Sequence, residues 1–136
     1  MKTVIVLVTI LSSLSSFSAV EDCSRKAQIM GGVVNHHWLK TDTKVAGMGS
    51  GYDGPIGDRF EAPYKTHVFV IDHSNQVAEK CREIAGVDED CVNEKLDIGQ
   101  YLGRFNLINN CQAFVSKILR ECSLSKPVKN LIDGGI

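Results

Sequence analysis

Two periodicities organise the chain. Between residues 110 and 122, Cys111, Phe114, Val115, Ile118, Leu119 and Cys122 recur at helical spacing, while Gln112, Ser116, Lys117 and Arg120 fall elsewhere. This pattern predicts an amphipathic helix from about Asn110 to Cys122, capped by Asn109 or Asn110 and finished before Pro127. A two-residue period over 66–72 predicts a strand, with Val68 and Val70 on one face and His67, Phe69 and Ile71 on the other. Residues 33–45, rich in β-branched and aromatic side chains, suit a strand or hairpin. Residues 74–86 read as a helix capped by Ser74 and ended by Gly86, and a second short helix starts at Asp88 with acidic residues in its first turn. "YLGRFNLI", from residue 101, reads as a strand or extended approach to the asparagine pair. Residues 47–64 carry five glycines and two prolines and read as a long surface loop. Gly47, Gly49 and Gly51 do not make a phosphate cradle, because Pro55 and Gly57 follow where such a turn should open a helix.

The first residues change the picture of where the chain works. Lys2, the apolar run from Val4 to Leu11 and the small residues from Ser16 to Ala19 have the form of a secretory signal, so residues 1–18 are expected to be removed and residues 19–136 to form a single domain. The apolar run is shorter than the ~20 residues that span a bilayer, so no transmembrane segment is expected after cleavage. The formal net charge is -1, with both signs mixed along the chain. Nucleic-acid binding depends on clustered Lys and Arg, and no such stripe is present, so nucleic acid is not an expected partner.

The 136 residues contain five cysteines, Cys23, Cys81, Cys91, Cys111 and Cys122, all within the expected mature chain. An exported domain of this size favours disulfides, and an odd number leaves one thiol over. Spacing alone does not assign the connectivity. The preferred pairing is Cys81 with Cys91, across a short polar connection, and Cys23 with Cys122, leaving Cys111 unpaired. An ordinary buried thiol at 111 is the alternative.

The position of Cys111 gives that thiol a chemistry. In the first turn of a helix, unpaired N–H groups and the dipole favour a thiolate and can hold an oxyanion. An imidazole that takes the thiol proton and returns it to the leaving group would complete an acyl-transfer site. The histidines available are His36, His37, His67 and His73. In a strand His36 and His37 point to opposite faces, so only one of them can aim at Cys111. His67 on the second strand can orient the first imidazole. The spacing of the four suits neither a metal site nor a cofactor motif, and neither is expected.

The block "HWLKT" at 37–41, followed by "GRFNLINNCQAFVSKIL" at 103–119, resembles the circularly permuted papain-like group, which includes the lecithin:retinol acyltransferase-like proteins and the NlpC-type hydrolases. His37-Trp38 stands on the earlier strand, and Asn110-Cys111 with Phe114 opens the later helix, in the order of that group. The resemblance implies an α+β fold, a small antiparallel sheet packed against the nucleophile-bearing helix and, in this chain, stabilised by disulfides. It implies Cys111 as nucleophile and His37 as general base, with His67 the positional candidate for the third polar residue and Asp72 and His73 behind it. Lipid-acting members usually carry Glu and His between the Cys and the Phe, where this chain has Gln112 and Ala113. That departure argues against a lipid acyltransferase, so the expected function is a secreted cysteine hydrolase, of amidase, thiol-protease or acyltransferase type, directed first at peptide or peptidoglycan bonds and next at a lipid ester, and open to an inhibitor or immunity protein as partner. A disulfide-stabilised secreted binding or inhibitor protein without catalysis is the alternative.

Overall fold

The computed structural model describes residues 19–52 and 59–125; the expected signal segment, part of the Gly-rich loop and Pro127 lie outside them. Six strands follow one another as β1 (Glu21–Lys26), β2 (Asn35–Lys40), β3 (Val45–Gly49), β4 (His67–Asp72), β5 (Lys80–Glu83) and β6 (Tyr101–Arg104), with helices α1 (Glu89–Lys95) and α2 (Cys111–Glu121). A 3-10 turn at Ile29–Gly32 joins β1 to β2. The strands form one antiparallel sheet in the order β5-β1-β2-β3-β4-β6. The architecture is α+β, as the sequence implies.

Alternation along the strands decides which side is covered. Leu39, Ala46, Met48, Val68 and Val70 form a core with Val92 of α1, Leu96 at its C-terminal cap, and Phe114, Val115 and Ile118 of α2. Burying such side chains stabilises by about 1.5–3 kcal/mol each, which is what holds a helix of α2's length against a sheet. The opposite face carries a second, aromatic layer. There His73 stacks on His36 and Trp38 and meets Phe60 edge-on, with ring centroids 5.0 to 5.7 Å apart in this cluster.

The 33–45 segment resolves as the hairpin reading. Thr41 N–H donates to the Lys44 carbonyl at 2.8 Å and turns β2 into β3. The expected loop begins later than Gly47, because Gly47 and Gly49 belong to β3. A Cβ at Gly47 would stand 2.7 Å from Cβ of Trp38, so only glycine lets the indole-bearing strand approach this closely. The short helix at Asp88 is present. Asp88 accepts from Cys91 N–H, as a cap should.

The helix expected over 74–86 is instead an edge strand. β5 pairs with β1, placing Cys81 directly opposite Cys23. The disulfides follow from that pairing and correct the expected connectivity: Cys23 is bonded to Cys81 and Cys91 to Cys122. The second bond is possible because Asp88 N–H donates to the Cys122 carbonyl at 2.9 Å, drawing the start of α1 to the end of α2. Among the described residues no helix is long and apolar enough to cross a membrane.

Candidate functional site

Cys111 is the free cysteine among the described residues, half-buried in the first turn of α2. Asn110 has extended backbone (φ -143°, ψ 174°) and its side chain accepts from Ala113 N–H at 3.0 Å, which fixes where the helix begins. The β2 to β3 pairing is confined to Leu39–Ala46 and Lys40–Val45. Beyond it, the exposed carbonyl of Asn35 meets α2 instead of β3, accepting from Cys111 Sγ at 3.9 Å and Gln112 Nε2 at 3.4 Å. The thiol therefore sits in a seam where the sheet opens.

Two opposing influences act on that thiol. Burial dominates and pushes its pKa up, opposed by the N–H groups of His37, Gln112 and Cys111 itself. The expected depression of the pKa by the helix terminus does not win, because the apolar walls remove the sulfur from water. Those walls belong to a small cleft of about 80 Å³ lined by Ile29, Val34, Met48, Phe60, Ala62 and Phe105, into which the buried polar side chains of His36 and Glu61 also reach.

Sheet register places the histidines. His37 lies opposite Ser24, two pairs along from Asp22 opposite Leu39, so Asp22, His37 and Leu39 share the face covered by the helices. His37 Nδ1 and Asp22 Oδ1 are 2.9 Å apart. With Nδ1–H donating to the carboxylate, Nε2 is left with its lone pair. Asp22 also faces the Arg82 guanidinium at 3.7 Å. The His37 ring makes no hydrogen bond with Cys111; the sulfur meets the backbone of β2 rather than the imidazole.

His36 points to the other face, as alternation requires, and its Nε2 lies 2.8 Å from Nε2 of His73. Both rings are buried. Burial, and the like-signed neighbours His73 and Arg25, push His36 down to about 2. Burial and Arg25 push His73 down to about 4, against the Ile71 carbonyl and Asp72, which raise it. Both rings are therefore neutral near pH 7. Since His73 Nδ1–H must donate to the Ile71 carbonyl at 2.9 Å, its Nε2 accepts and His36 Nε2–H donates.

His67 does not orient His37. It alternates away from Val68 and Val70, is exposed, and pairs its Nδ1 with the Tyr101 hydroxyl at 2.8 Å. Asp72 is likewise exposed and holds the backbone of Ser74. The carboxylate that does hold His37 is Asp22, which sequence reasoning missed. The alternation of Asp22 and Ser24 with Cys23 and Arg25 marks a strand and is the signal that could have found it. Among the described residues no group of His, Cys, Asp and Glu is arranged to hold a metal ion.

No protein-family model matches the chain, and neither a curated protein nor a solved structure matches it.

Proposed function

We propose that the protein is a secreted cysteine hydrolase that cleaves an ester or amide bond through a thioester on Cys111, with His37 as general base and Asp22 holding its ring. The observation that carries this reading is the unbridged thiol at the start of α2, on the same sheet face as an imidazole whose Nδ1 is fixed by a carboxylate. The resemblance of "HWLKT" and "NNCQAFV" to the permuted papain-like group supports it. The two disulfides suit an oxidising compartment.

Because the thiol is protonated at rest, His37 acts as a true general base rather than as half of a standing ion pair. On substrate binding the ring turns so that Nε2 takes the Sγ proton as sulfur attacks the carbonyl carbon. The oxyanion accepts from the N–H groups of Cys111 and Gln112 at the helix start. Collapse expels the leaving group with the proton from His37, and water, deprotonated by the same ring, releases the acid and restores the thiol. The apolar walls around Sγ favour an acyl chain or an apolar peptide side chain on the carbonyl side.

Esters of graded chain length, peptides and murein, offered to the wild type and to the Cys111→Ala, His37→Ala and Asp22→Asn variants, test the proposal. Cys111→Ala should abolish turnover, and His37→Ala should lower kcat by about 10²–10⁴-fold. Asp22→Asn should lower kcat while leaving the preferred chain length unchanged. Equal activity in wild type and Cys111→Ala on every substrate would remove the proposal. The second reading, a non-catalytic disulfide-stabilised binding or inhibitor protein, is favoured by the missing hydrogen bond between Cys111 and an imidazole; it predicts no turnover by any form.

A further inference from the structure

Three of the four most exposed large aliphatic side chains of the described residues stand on the two loops that reach the Cys111 cleft; the fourth, Val77, lies in the connection from β4 to β5. Leu107 is 88% exposed, Ile108 87% and Val33 83%, although the loops that carry them are more than seventy positions apart in sequence. Val34 and Leu107 line one pocket together with Phe105 and Cys111. The Leu107 loop is braced to hold this pose. Asn106 Oδ1 accepts from the N–H groups of Ile108 and Asn109 at 2.9 and 2.8 Å. Asn109 Nδ2 donates to the carbonyls of Leu102 and Arg104, and Asn110 Nδ2 to that of Leu107. Five side-chain bonds thus present two aliphatic residues to water where packing would ordinarily turn them inward.

Three exposed basic residues flank this mouth. Lys26 closes β1 opposite Asn35, whose carbonyl touches Cys111, and Arg104 closes β6. Lys65 N–H donates to the Phe105 carbonyl, and its ammonium stands 5.5 Å from the half-exposed Tyr64 ring. The nearby Glu61 is turned inward, accepting from Arg25 and from the N–H groups of Gln28 and Ile29. The acidic side chains Glu83, Asp88, Glu89 and Asp90 belong to the opposite end, where α2 finishes. Aliphatic tips ringed by cations complement an anionic lipid surface, into which apolar groups insert while Lys and Arg meet the headgroups.

We propose that the Val33 and Leu107 loops dock the protein on anionic membranes, with the mouth of the Cys111 cleft facing the lipid. The proposal goes beyond the hydrolase reading and is tested without turnover. Protein recovered from a secreting host is sedimented with vesicles of phosphatidylcholine alone and of phosphatidylcholine with phosphatidylglycerol. Wild type and Cys111→Ala should bind the anionic vesicles equally, and high salt should weaken both. The Leu107→Asp/Ile108→Asp variant should bind about tenfold more weakly, as should the separate Val33→Asp variant, with unfolding transitions unchanged. Lys65→Glu/Arg104→Glu should lose the preference for anionic over zwitterionic vesicles. Vesicle binding that is absent, or unaffected by all three changes, overturns the proposal. So does a concentration-dependent dimer that Ile108→Asp disperses in the absence of vesicle binding, which would make a second copy of the chain the occupant.

Discussion

Desolvation and the helix start pull the Cys111 thiol in opposite directions, and desolvation prevails. Alkylation of the native protein should therefore accelerate steadily as pH rises through the alkaline range, with no fast phase under mildly acidic conditions. Measured rates of iodoacetamide labelling, with the site confirmed by peptide mapping, check this; rapid labelling at pH 5 would contradict it. The leftover cysteine and its cap were legible in the sequence, since an odd count and Asn110 are local facts. The environment of the sulfur was not, because it is made largely by Val34, Met48 and Phe60, all more than fifty positions from Cys111 in sequence. Asp22 was hidden for a similar reason. Its meeting with His37 depends on the β1 to β2 register, which pairs Asp22 with Leu39 and Ser24 with His37.

At the scale of elements, local signals and tertiary pairing agreed in some places and competed in others. α2 and β4 have enough periodic apolar residues to declare themselves, and both stand within a residue of the expected limits. Residues 74–86 have a helical cap and stop, yet the disulfide to Cys23 and the free edge of β1 draw Lys80–Glu83 into the sheet. All four of these residues are exposed, so no buried stripe opposes the change. The cap of α2 can be weighed directly. Asn110→Ala removes the bond to Ala113 N–H and should lower stability by about 1 kcal/mol, read from urea denaturation. It should also displace Cys111 enough to change its alkylation rate, whereas a change of cap at Asp88 should leave that rate alone.

For the molecule as a whole, the buried His36–His73 pair sets a limit on acid tolerance. Both rings have folded pKa values below the usual 6.5, so as pH falls beneath 6.5 the unfolded chain takes up protons that the folded chain refuses. Stability is full above that pH and declines as His73 approaches its folded value of about 4; this ring alone accounts for about 3 kcal/mol of loss between pH 6.5 and 4. The melting temperature should drop across that interval, and the double variant His36→Leu/His73→Leu should show a shallower slope. A wild-type curve that is flat from pH 7 to 4 would refute the assignment. The sequence marked both residues as histidines on strand-like segments, but their contact depends on β2 and the end of β4 flanking β3, where His73 N–H donates to the Val45 carbonyl.

The parting of β2 from β3 beyond Leu39 has one more implication. Asn35 gives its carbonyl to the first turn of α2, so zipping the two strands further would dislodge Cys111 from its berth. Extra sheet and the seated thiol compete for the same hydrogen-bonding edge, and a mutation that tightened this hairpin would make the chain sturdier while removing the placement of sulfur on which the proposed hydrolysis depends.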